Sequence, residues 1–424
     1  MKALELKKLL ADGGLEKYSS LYADIPHQTE RFISAIDKFT DIYGYERDIE
    51  IFSVPGRSEI MGNHTDHNRG CVLAGAIDRD IIAVAAKRDD GIISFTSEGF
   101  GEIVCDLSLI DNPDNFQKYT SKALIAGLCK GFTLKGYSIG GYDAYATSEV
   151  LKGSGISSSA AFEVMIGNIL NYVYCDGKVK NSEIAKISQY AENTFFGKPC
   201  GLMDQMACAV GGLVYIDLEN PQNPTVEPID FSLTDKGYSL CIINTGGNHA
   251  DLNDDYASVP REMKDVAAAL GCDYLRETNE EKITEAIPLL RGKVGDRALL
   301  RALHFMRENR RVNSARDALK RGDLQAFLEC VRASGASSFQ YLQNVYTTAN
   351  VKEQGLSLAL TLADGYLDGK YAAFRVHGGG FAGTVQVFIE NSELNGFSDF
   401  MDCIFGKGSA MKLRIRPIGA TKLF

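Results

Sequence analysis

The sequence predicts an α+β protein of two domains, and three features of the chain indicate this. Runs that alternate apolar and polar residues, as half-buried strands do, occur within residues 81–107. Residues 261–364 instead show charged and apolar residues at helical spacing. Between these regions, three prolines fall within residues 220–228, which makes this segment the best candidate for a linker. We therefore expect one domain over residues 1–220 and another over residues 221–424, with a cleft between them.

Helical spacing opens the chain, and strands follow it. Residues 29–43 place Phe32, Ile36 and Phe39 on one helical face. A shorter helical pattern precedes them at residues 4–10. Strand-like patterns are expected near residues 49–54, 81–107 and 136–150.

A polar cluster at residues 63–68 lies between two apolar segments and contains Asn63, His64, Asp66 and His67. Polar residues between strands form either a turn or a site, and the density of hydrogen-bonding groups here favours a floor for a polyhydroxylated ligand. The spacing H-x-x-H also occurs in zinc sites. Because cysteine or glutamate partners at ligand spacing do not accompany it, we do not expect zinc.

A glycine- and serine-rich loop leads into a helix in the middle of the first domain. The loop and the first helical turn contain Gly153, Ser154, Gly155, Ser157, Ser158 and Ser159. Apolar residues then recur at helical spacing from Ala161 to Val173. The start of a helix offers unpaired backbone N–H groups and the positive end of the helix dipole, and serines add hydroxyl donors, so this segment is suited to phosphate. The simpler alternative is a serine that caps a core helix.

The later elements include a second glycine segment. Helices are expected at residues 181–195 and around Asp204, and strands near residues 213–218, 240–244, 375–390 and 411–422. The run GGGFAG at residues 378–383 formally fits G-x-G-x-x-G. A strand pattern rather than a helix follows it, which contradicts the dinucleotide-binding fingerprint. The run is therefore either a tight hairpin or a backbone segment that must approach another group closely.

Arg57 and Asp204 are suited to phosphoryl transfer if the fold brings them together. A hydroxyl that attacks phosphorus must lose its proton, and a carboxylate within hydrogen-bond reach can accept it. A neighbouring arginine keeps that carboxylate ionised and stabilises charge on the phosphoryl oxygens. Taken singly, Asp204 is more simply explained by its place in the first turn of a helix, and Arg57 by a salt bridge.

Composition argues against several kinds of partner. The chain has 45 lysines and arginines against 55 aspartates and glutamates, a net charge of −10, so its total charge does not suggest a nucleic-acid-binding surface. No window approaches the roughly 20 apolar residues of a membrane span, and the N-terminus lacks the apolar run of a signal peptide. Ten cysteines occur without a C-x-x-C pair, which indicates a reducing cytoplasm. We expect no nucleic-acid or membrane partner, and a monomer is favoured.

Five motifs together resemble those of the GHMP small-molecule kinases and, among them, the galactokinases. In the expected order they are PGRSEIMGNHTDHNRGCVLAGAI at residues 55–77, LKGSGISSSAAFEV at 151–164, CGLMDQ at 200–205, NHADLNDDYASVPRE at 248–262 and VHGGGFAGTVQV at 376–387. The likeness spans nearly the whole chain from about residue 30. It implies the two-lobed GHMP kinase fold. In that fold, an N-terminal domain with a mixed sheet and a left-handed crossover precedes a ferredoxin-like, helix-rich C-terminal domain, and the last strand returns to the first domain.

The resemblance also implies an activity and a set of site residues. The activity is ATP-dependent phosphorylation of a sugar at its anomeric C1 hydroxyl, with Asp204 as the base and Arg57 beside it. Ser159 and Glu192 match the residues that hold Mg²⁺. The positions that match sugar contacts are Asn63, His64, Asp66, Gly201 and Tyr256. The positions that match the ATP site are Gly153, Ser154, Gly155, Ser157, Ser158, Ser159, Gly379 and Gly380.

The sugar motif departs from the family pattern. Galactokinases read G-E-H-T-D-Y where this chain reads G-N-H-T-D-H at residues 62–67, and the family glutamate contacts the sugar's C6 hydroxyl. A glutamate would repel a carboxylate at C6, whereas the amide of Asn63 can donate a hydrogen bond to one. The candidate substrates are therefore galactose or a close relative and, as an alternative, galacturonate. A third hypothesis is a catalytically silent regulator that binds sugar and ATP, although the presence of the catalytic and metal-binding residues argues against it.

Overall fold

The computed structural model describes residues 1–150, 155–198, 200–247 and 252–424. The helices of its first half are α1 (Ala3–Ala11), α2 (Ile25–Tyr43), α3 (Ser121–Leu134), α4 (Ser158–Cys175), α5 (Asn181–Ala191) and α6 (Met203–Val210). The strands of this half are β1 (Glu50–Met61), β2 (Cys71–Lys87), β3 (Ile92–Ser97), β4 (Glu102–Asp106), β5 (Tyr142–Ser148), β6 (Leu213–Asp217) and β7 (Thr225–Ile229).

The second half continues the alternation of strands and helices. Its helices are α7 (Asn253–Ala269), α8 (Glu280–Val294), α9 (Asp296–Lys320), α10 (Leu324–Ser337), α11 (Gly355–Tyr366) and α12 (Asn391–Phe405). Its strands are β8 (Tyr238–Asn244), β9 (Ala373–His377), β10 (Thr384–Glu390), β11 (Ala410–Leu413) and β12 (Thr421–Lys422). The helical spacing within residues 261–364 therefore corresponds to α7–α11, as predicted.

The first sheet has eight strands and is mixed. Its main path runs β12-β1-β2-β5-β3-β4, while β6 pairs with β2 and β7 pairs with β6. β3 and β5 are parallel, and the other pairs are antiparallel. The long strand β2 joins two partners on one side, since Cys71–Gly75 pair with β6 and Ile81–Lys87 pair with β5. This arrangement confirms the predicted mixed sheet.

Both faces of this sheet are covered where β2 crosses it. Ile82 and Val84 belong to the core beneath α1 and α2, whereas Ala83 and Ala85 belong to the core that includes α3, α4 and α5. Successive side chains of a strand point to opposite faces. A strand buried on both faces is apolar at consecutive positions, which is why the sequence IIAVAA lacks a clean alternation.

The second sheet is ferredoxin-like. Its four antiparallel strands lie in the order β11-β8-β10-β9, which is fourth, first, third and second in chain order. A helical region separates β8 from β9, and α12 separates β10 from β11, so the succession is the βαββαβ of that motif. The α+β fold class and the ferredoxin-like second sheet are therefore confirmed.

The first sheet extends past the proline-rich segment. β7 lies within residues 220–228 and just beyond, and it pairs with β6, so part of this segment is a strand rather than a linker. Pro228 is accommodated because β7 is an edge strand, where a missing N–H breaks no ladder. At the other end of the sheet, Thr421 and Lys422 of β12 pair with β1. The C-terminus thus lies in the first sheet.

Candidate active site

Arg57 and Asp204 form a two-point ion pair between β1 and the first turn of α6. Arg57 Nε lies 2.7 Å from Asp204 Oδ1, and Nη2 lies 2.8 Å from Oδ2. The third guanidinium nitrogen, Nη1, donates to the carbonyl of Gly155 at 2.6 Å. Because the planar guanidinium fork matches a carboxylate at two points, this contact fixes the orientation of both groups. The fold thus brings together two residues that are 147 positions apart.

The Asp204 carboxylate is held in its ionised form. Burial would raise its pKa, but the charge of Arg57 and hydrogen bonds from Arg57 and Ser157 outweigh burial and lower the pKa below its ordinary value. Ser157 Oγ donates to Asp204 Oδ2 at 2.5 Å. The Asp204 side chain remains 33% exposed. A ligand can therefore reach a carboxylate that is charged at neutral pH.

Ser157 stands at the start of α4 in a strained conformation. Its φ of 58° and ψ of 59° are left-handed, and its side chain does not cap the helix. A non-glycine residue in this region costs about 1–3 kcal/mol. The Ser157 hydroxyl reaches Asp204 instead of the helix N–H groups, which leaves those groups at the start of α4 available to a ligand. Gly153 and Ser154 lie outside the described residues.

One cavity joins the start of α4 to α6. Its volume is about 100 Å³, and its lining includes Ser159, Glu192 and Asp204. Ser159 is exposed, whereas Glu192 is only 4% exposed. The predicted metal-binding pair and the predicted base therefore border the same space. Among the described residues, no cluster of three or more His, Cys, Asp or Glu side chains is arranged to hold a metal ion.

Buried oxygens surround Glu192. Gln205 Nε2 donates to Glu192 Oε2 at 2.8 Å and to Glu163 Oε2 at 3.1 Å. Burial and the nearby charge of Glu192 raise the pKa of Glu163. Within the described part of the chain, Glu163 Oε1 and Gln205 Oε1 are buried without a hydrogen-bond partner. A hydroxyl and a carboxylate with further oxygens behind them suit Mg²⁺, which keeps most of its waters and binds few protein ligands.

Asp66 and Gly201 also line this cavity and the adjoining one, which has a volume of about 220 Å³. A Cβ on Gly201 would lie 2.5 Å from Asp66 Oδ2, so a larger residue here would push the Asp66 carboxylate out of its present position. These two predicted sugar contacts are therefore neighbours beside Asp204.

His64 and Tyr256 contact the glycine run. His64 Nε2 donates to the carbonyl of Gly379 at 2.8 Å, and the Tyr256 hydroxyl donates to the carbonyl of Gly380 at 2.8 Å. Burial lowers the pKa of His64 to about 4, so the imidazole is neutral at pH 7. A Cβ on Gly379 would come within 2.6 Å of the Tyr256 ring. The run approaches protein groups closely, and contact of Gly379 and Gly380 with ATP stays a prediction.

Asn63 is fully buried and already hydrogen-bonded. Its Nδ2 donates to Glu59 Oε1 at 2.9 Å and to the carbonyl of Gly378 at 2.7 Å, and its Oδ1 accepts from Asn344 Nδ2 at 2.6 Å. Both amide hydrogens are therefore engaged by the protein. In this conformation Asn63 links the sugar motif to the glycine run, and the predicted contact with a C6 substituent would require it to leave these partners.

Two family models match the chain: the galactokinase galactose-binding signature over residues 37–87 and the GHMP kinases N terminal domain over residues 120–212. The galactokinase of Streptococcus mutans is 30% identical, with 81% of this chain and 86% of the relative aligned. The galactokinase of Glaesserella parasuis is 31% identical, with 84% of this chain and 89% of the relative aligned. The chain belongs to the galactokinase family.

Solved structures agree with the fold of the galactokinase family. The crystal structure of Lactococcus lactis galactokinase complexed with galactose matches with a TM-score of 0.77 and 24% identity, over 92% of this chain and 99% of that chain. The Methanococcus jannaschii mevalonate kinase matches with a TM-score of 0.60 and 14% identity, over 87% of this chain and 98% of that chain. The GHMP kinase fold predicted from the motifs is therefore confirmed.

Membership of the galactokinase family also confirms the predicted enzyme class, a kinase that uses ATP to phosphorylate a sugar. Within the described residues, no helix combines the length and apolar character needed to cross a membrane.

Several side chains around this galactokinase-family site were not predicted from the sequence. Glu163 follows Ser159 by four positions on α4 and Glu59 follows Arg57 by two on β1, so their placement on the same faces was readable from helical and strand periodicity. Gln205 simply follows Asp204. The contact of Asn344 with Asn63 could not be predicted from local sequence patterns, because the two residues are 281 positions apart.

Proposed function

We propose that this chain phosphorylates galactose at its anomeric hydroxyl, converting galactose and ATP to galactose 1-phosphate and ADP. The observation that carries the proposal is the ionised Asp204, held at two points by Arg57 in a cavity that also contains Ser159 and Glu192. Relatives named galactokinase support galactose as the sugar.

In this mechanism Asp204 orients the sugar hydroxyl and then takes its proton. The hydroxyl oxygen forms a bond to the terminal phosphorus of ATP, and the bond from that phosphorus to the bridging oxygen breaks, so that ADP leaves with the electron pair. Because the transition state for phosphoryl transfer is loose, the hydroxyl keeps its proton until late in the reaction. A carboxylate with a low pKa can therefore act as the base, since its main task is to hold the sugar hydroxyl in line with the phosphorus and the leaving oxygen.

The other site residues manage charge. Arg57 keeps Asp204 ionised and adds positive charge beside the transferred group. The start of α4 offers N–H groups to the phosphates, and Ser158 and Ser159 offer hydroxyls. Ser159 and Glu192 would hold Mg²⁺, which neutralises charge on the phosphate oxygens when it is bound.

The hydrogen bonds of Asn63 favour a neutral sugar over a uronic acid. Asn63 is the side chain whose amide would receive a C6 carboxylate, and both of its hydrogens are donated to Glu59 and Gly378. Glu59 itself is buried close by. A second carboxylate brought to this place would meet a carboxylate and no free amide donor, which disfavours galacturonate.

The ten cysteines, all of them free, support a reducing compartment, and we extend the proposal to a cytoplasmic location.

A panel of sugars with ATP and Mg²⁺ tests the function. We expect ADP release to be fastest with galactose, kcat/KM for galacturonate to be at least about 100-fold lower, and phosphorus NMR to place the phosphate on C1. Asp204→Asn should lower kcat by about 100- to 10,000-fold while the Kd for galactose changes little. Asp217→Asn is the matched control. Asp217 is also paired with an arginine, Arg276 at 2.8 Å, and it lies at the end of β6 that points away from α6.

Each alternative has its own outcome in this panel. A preference for galacturonate would replace the proposed sugar, and binding of sugar and ATP without ADP release would replace the enzyme by a silent regulator. Full activity of Asp204→Asn would remove Asp204 from the role of base.

A further inference from the structure

The cavity beside Asp204 is rich in negative charge. Among the described residues that line it, Asp66, Glu192 and Asp204 carry carboxylates, and Lys198 is the one cation. Arg57 commits two of its nitrogens to Asp204. A nucleotide triphosphate brings several more negative charges into this space, and phosphoryl transfer depends on neutralising them. The position of Lys198 is therefore significant.

Lys198 is held at the edge of the cavity through its backbone, and its ammonium forms a long ion pair. It follows the π-helical turn Glu192–Phe196, and its N–H donates to the carbonyl of Glu192 at 3.2 Å. Its Nζ lies 3.8 Å from Glu192 Oε1, beyond hydrogen-bond distance, and its side chain is 61% exposed. Glu192 is buried, but the lysine end of this ion pair is in solvent and no hydrogen bond joins the two groups, so the contact is weak. The ammonium can therefore leave Glu192 for a better partner.

The positive charge of Lys198 also acts on Asp204, the predicted base. Burial acts to raise the pKa of Asp204. The charge of Arg57 and the hydrogen bonds from Arg57 and Ser157 act to lower it, and the charge of Lys198 lowers it further. Lys198 thus stands within electrostatic range of both the predicted base and Glu192.

We propose that Lys198 binds the terminal phosphate of ATP and accompanies that group as it passes to the sugar. Lys198 borders the same cavity as Ser159, Glu192 and Asp204, and its flexible stem allows the ammonium to follow a moving phosphoryl group. This inference rests on the proposed function, since it assigns a further substrate contact in the same reaction.

Lys198→Met tests the inference, because methionine keeps much of the stem and removes the charge. We expect the Kd of a non-hydrolysable ATP analogue with Mg²⁺ to rise about tenfold, equivalent to about 1.4 kcal/mol. The Kd of ADP should rise less, because ADP lacks the terminal phosphate. The KM for the sugar should stay near its original value, and Lys198→Arg should recover most of the affinity. Calorimetric titration gives both nucleotide constants without turnover.

Lys178→Met is the matched control, because Lys178 is an exposed lysine paired with Asp176 at 3.0 Å. An unchanged affinity of Lys198→Met for the ATP analogue would overturn the inference. So would an equal loss for the analogue and for ADP that arginine does not recover, since that pattern indicates a structural role. Failure of the wild-type sugar assay would instead refute the proposed function, and the binding titrations would still report on Lys198.

Discussion

Asn63 and Glu59 form a donor–acceptor pair whose chemistry depends on both members. Glu59 is 6% exposed, and its Oε1 accepts from Asn63 and lies 3.5 Å from Arg375 Nη2. Burial raises the pKa of Glu59, while Arg375 and Arg57 oppose the rise. An amide is a suitable partner for a buried carboxylate because it can donate to it. The amide of Asn63, where the family has a glutamate, therefore suits its buried neighbour Glu59.

We expect Asn63→Glu to destabilise the protein, because it would place a second carboxylate against Glu59 in a fully buried position. Leaving a buried charge uncompensated costs about 3–5 kcal/mol. The free energy of unfolding in urea measures the loss.

The double variant Glu59→Gln with Asn63→Glu is the control, since it restores one donor facing one acceptor and should recover much of the lost stability. An Asn63→Glu protein as stable as the original would contradict this account of the pair.

The two glycine segments pack closely against other parts of the chain near the site. A Cβ on Gly155 would lie 3.1 Å from Thr384 Oγ1 and 3.2 Å from His377 Nδ1, next to the run at residues 378–380. The residues just before α4 therefore lie against the ends of β9 and β10 that flank the glycine run. The run GGGFAG allows a close approach to Tyr256 and Asn344 and does not begin a helix.

Gly380→Ala should be far more disruptive than Gly378→Ala. Both glycines have positive φ, 83° and 69°, so an alanine at either costs about 1–2 kcal/mol in backbone strain. At Gly380 the added Cβ would also overlap the carbonyl oxygen of Asn344, whereas at Gly378 it would meet no atom of the described residues within 4 Å.

The melting temperatures of these two variants measure the difference. Gly378→Ala acts as the matched control, since it shares the strain and lacks the overlap. Equal melting temperatures would show that the backbone at Gly380 shifts to relieve the overlap with Asn344 at little cost, which would contradict the prediction.

Asp80 ties the two ends of the chain to the first sheet. It is fully buried on β2, where Arg31 Nη1 from α2 donates at 2.7 Å, Arg416 Nη1 at 3.0 Å and the Tyr22 hydroxyl at 2.7 Å. Burial would raise the pKa of Asp80, but the two arginines outweigh it and lower the pKa to about 2. The C-terminal segment that carries Arg416 is thus held beside the N-terminal helices by a buried charge network.

Stability should fall on acidification in two steps. Burial lowers the pKa of His304 to about 4 and that of His377 to about 3, so the unfolded chain, with histidine pKa values of about 6.5, takes up protons first as the pH falls from about 6.5 toward 4. Below about pH 4, the lowered pKa of Asp80 adds a second loss, because its carboxylate is protonated more readily in the unfolded chain. Both contributions are fully present at pH 7.

Melting temperatures at pH 7, 6, 5 and 4 measure this dependence. His304→Gln should be less stable at pH 7 but lose less between pH 7 and 5, because one group that differs between folded and unfolded states is gone. His27, whose side chain is 59% exposed, provides the control His27→Gln. A melting temperature that stays constant from pH 7 to 5 would contradict the assignment.

Much of the fold and part of the site were predictable from local patterns. Periodicity placed the helices of residues 261–364, and the glycine–serine loop marked the start of α4. The motifs indicated the kinase family, because residue type and spacing within a short segment survive in the linear chain. Periodicity predicted a strand from residue 81 but not the first part of β2, and the prolines at 220–228 concealed the edge strand β7.

Only the tertiary structure decided which of these segments touch. The contact of Arg57 with Asp204, the engagement of both Asn63 hydrogens and the grouping of Lys198 with three carboxylates all join residues from separate elements. Such contacts depend on how helices and sheets pack against one another. A single polar residue that makes such a contact is not part of any repeating pattern in the sequence, so periodicity cannot predict it. The sequence motifs indicated the reaction. Only the contacts between distant residues showed which charged side chains lie together at the site.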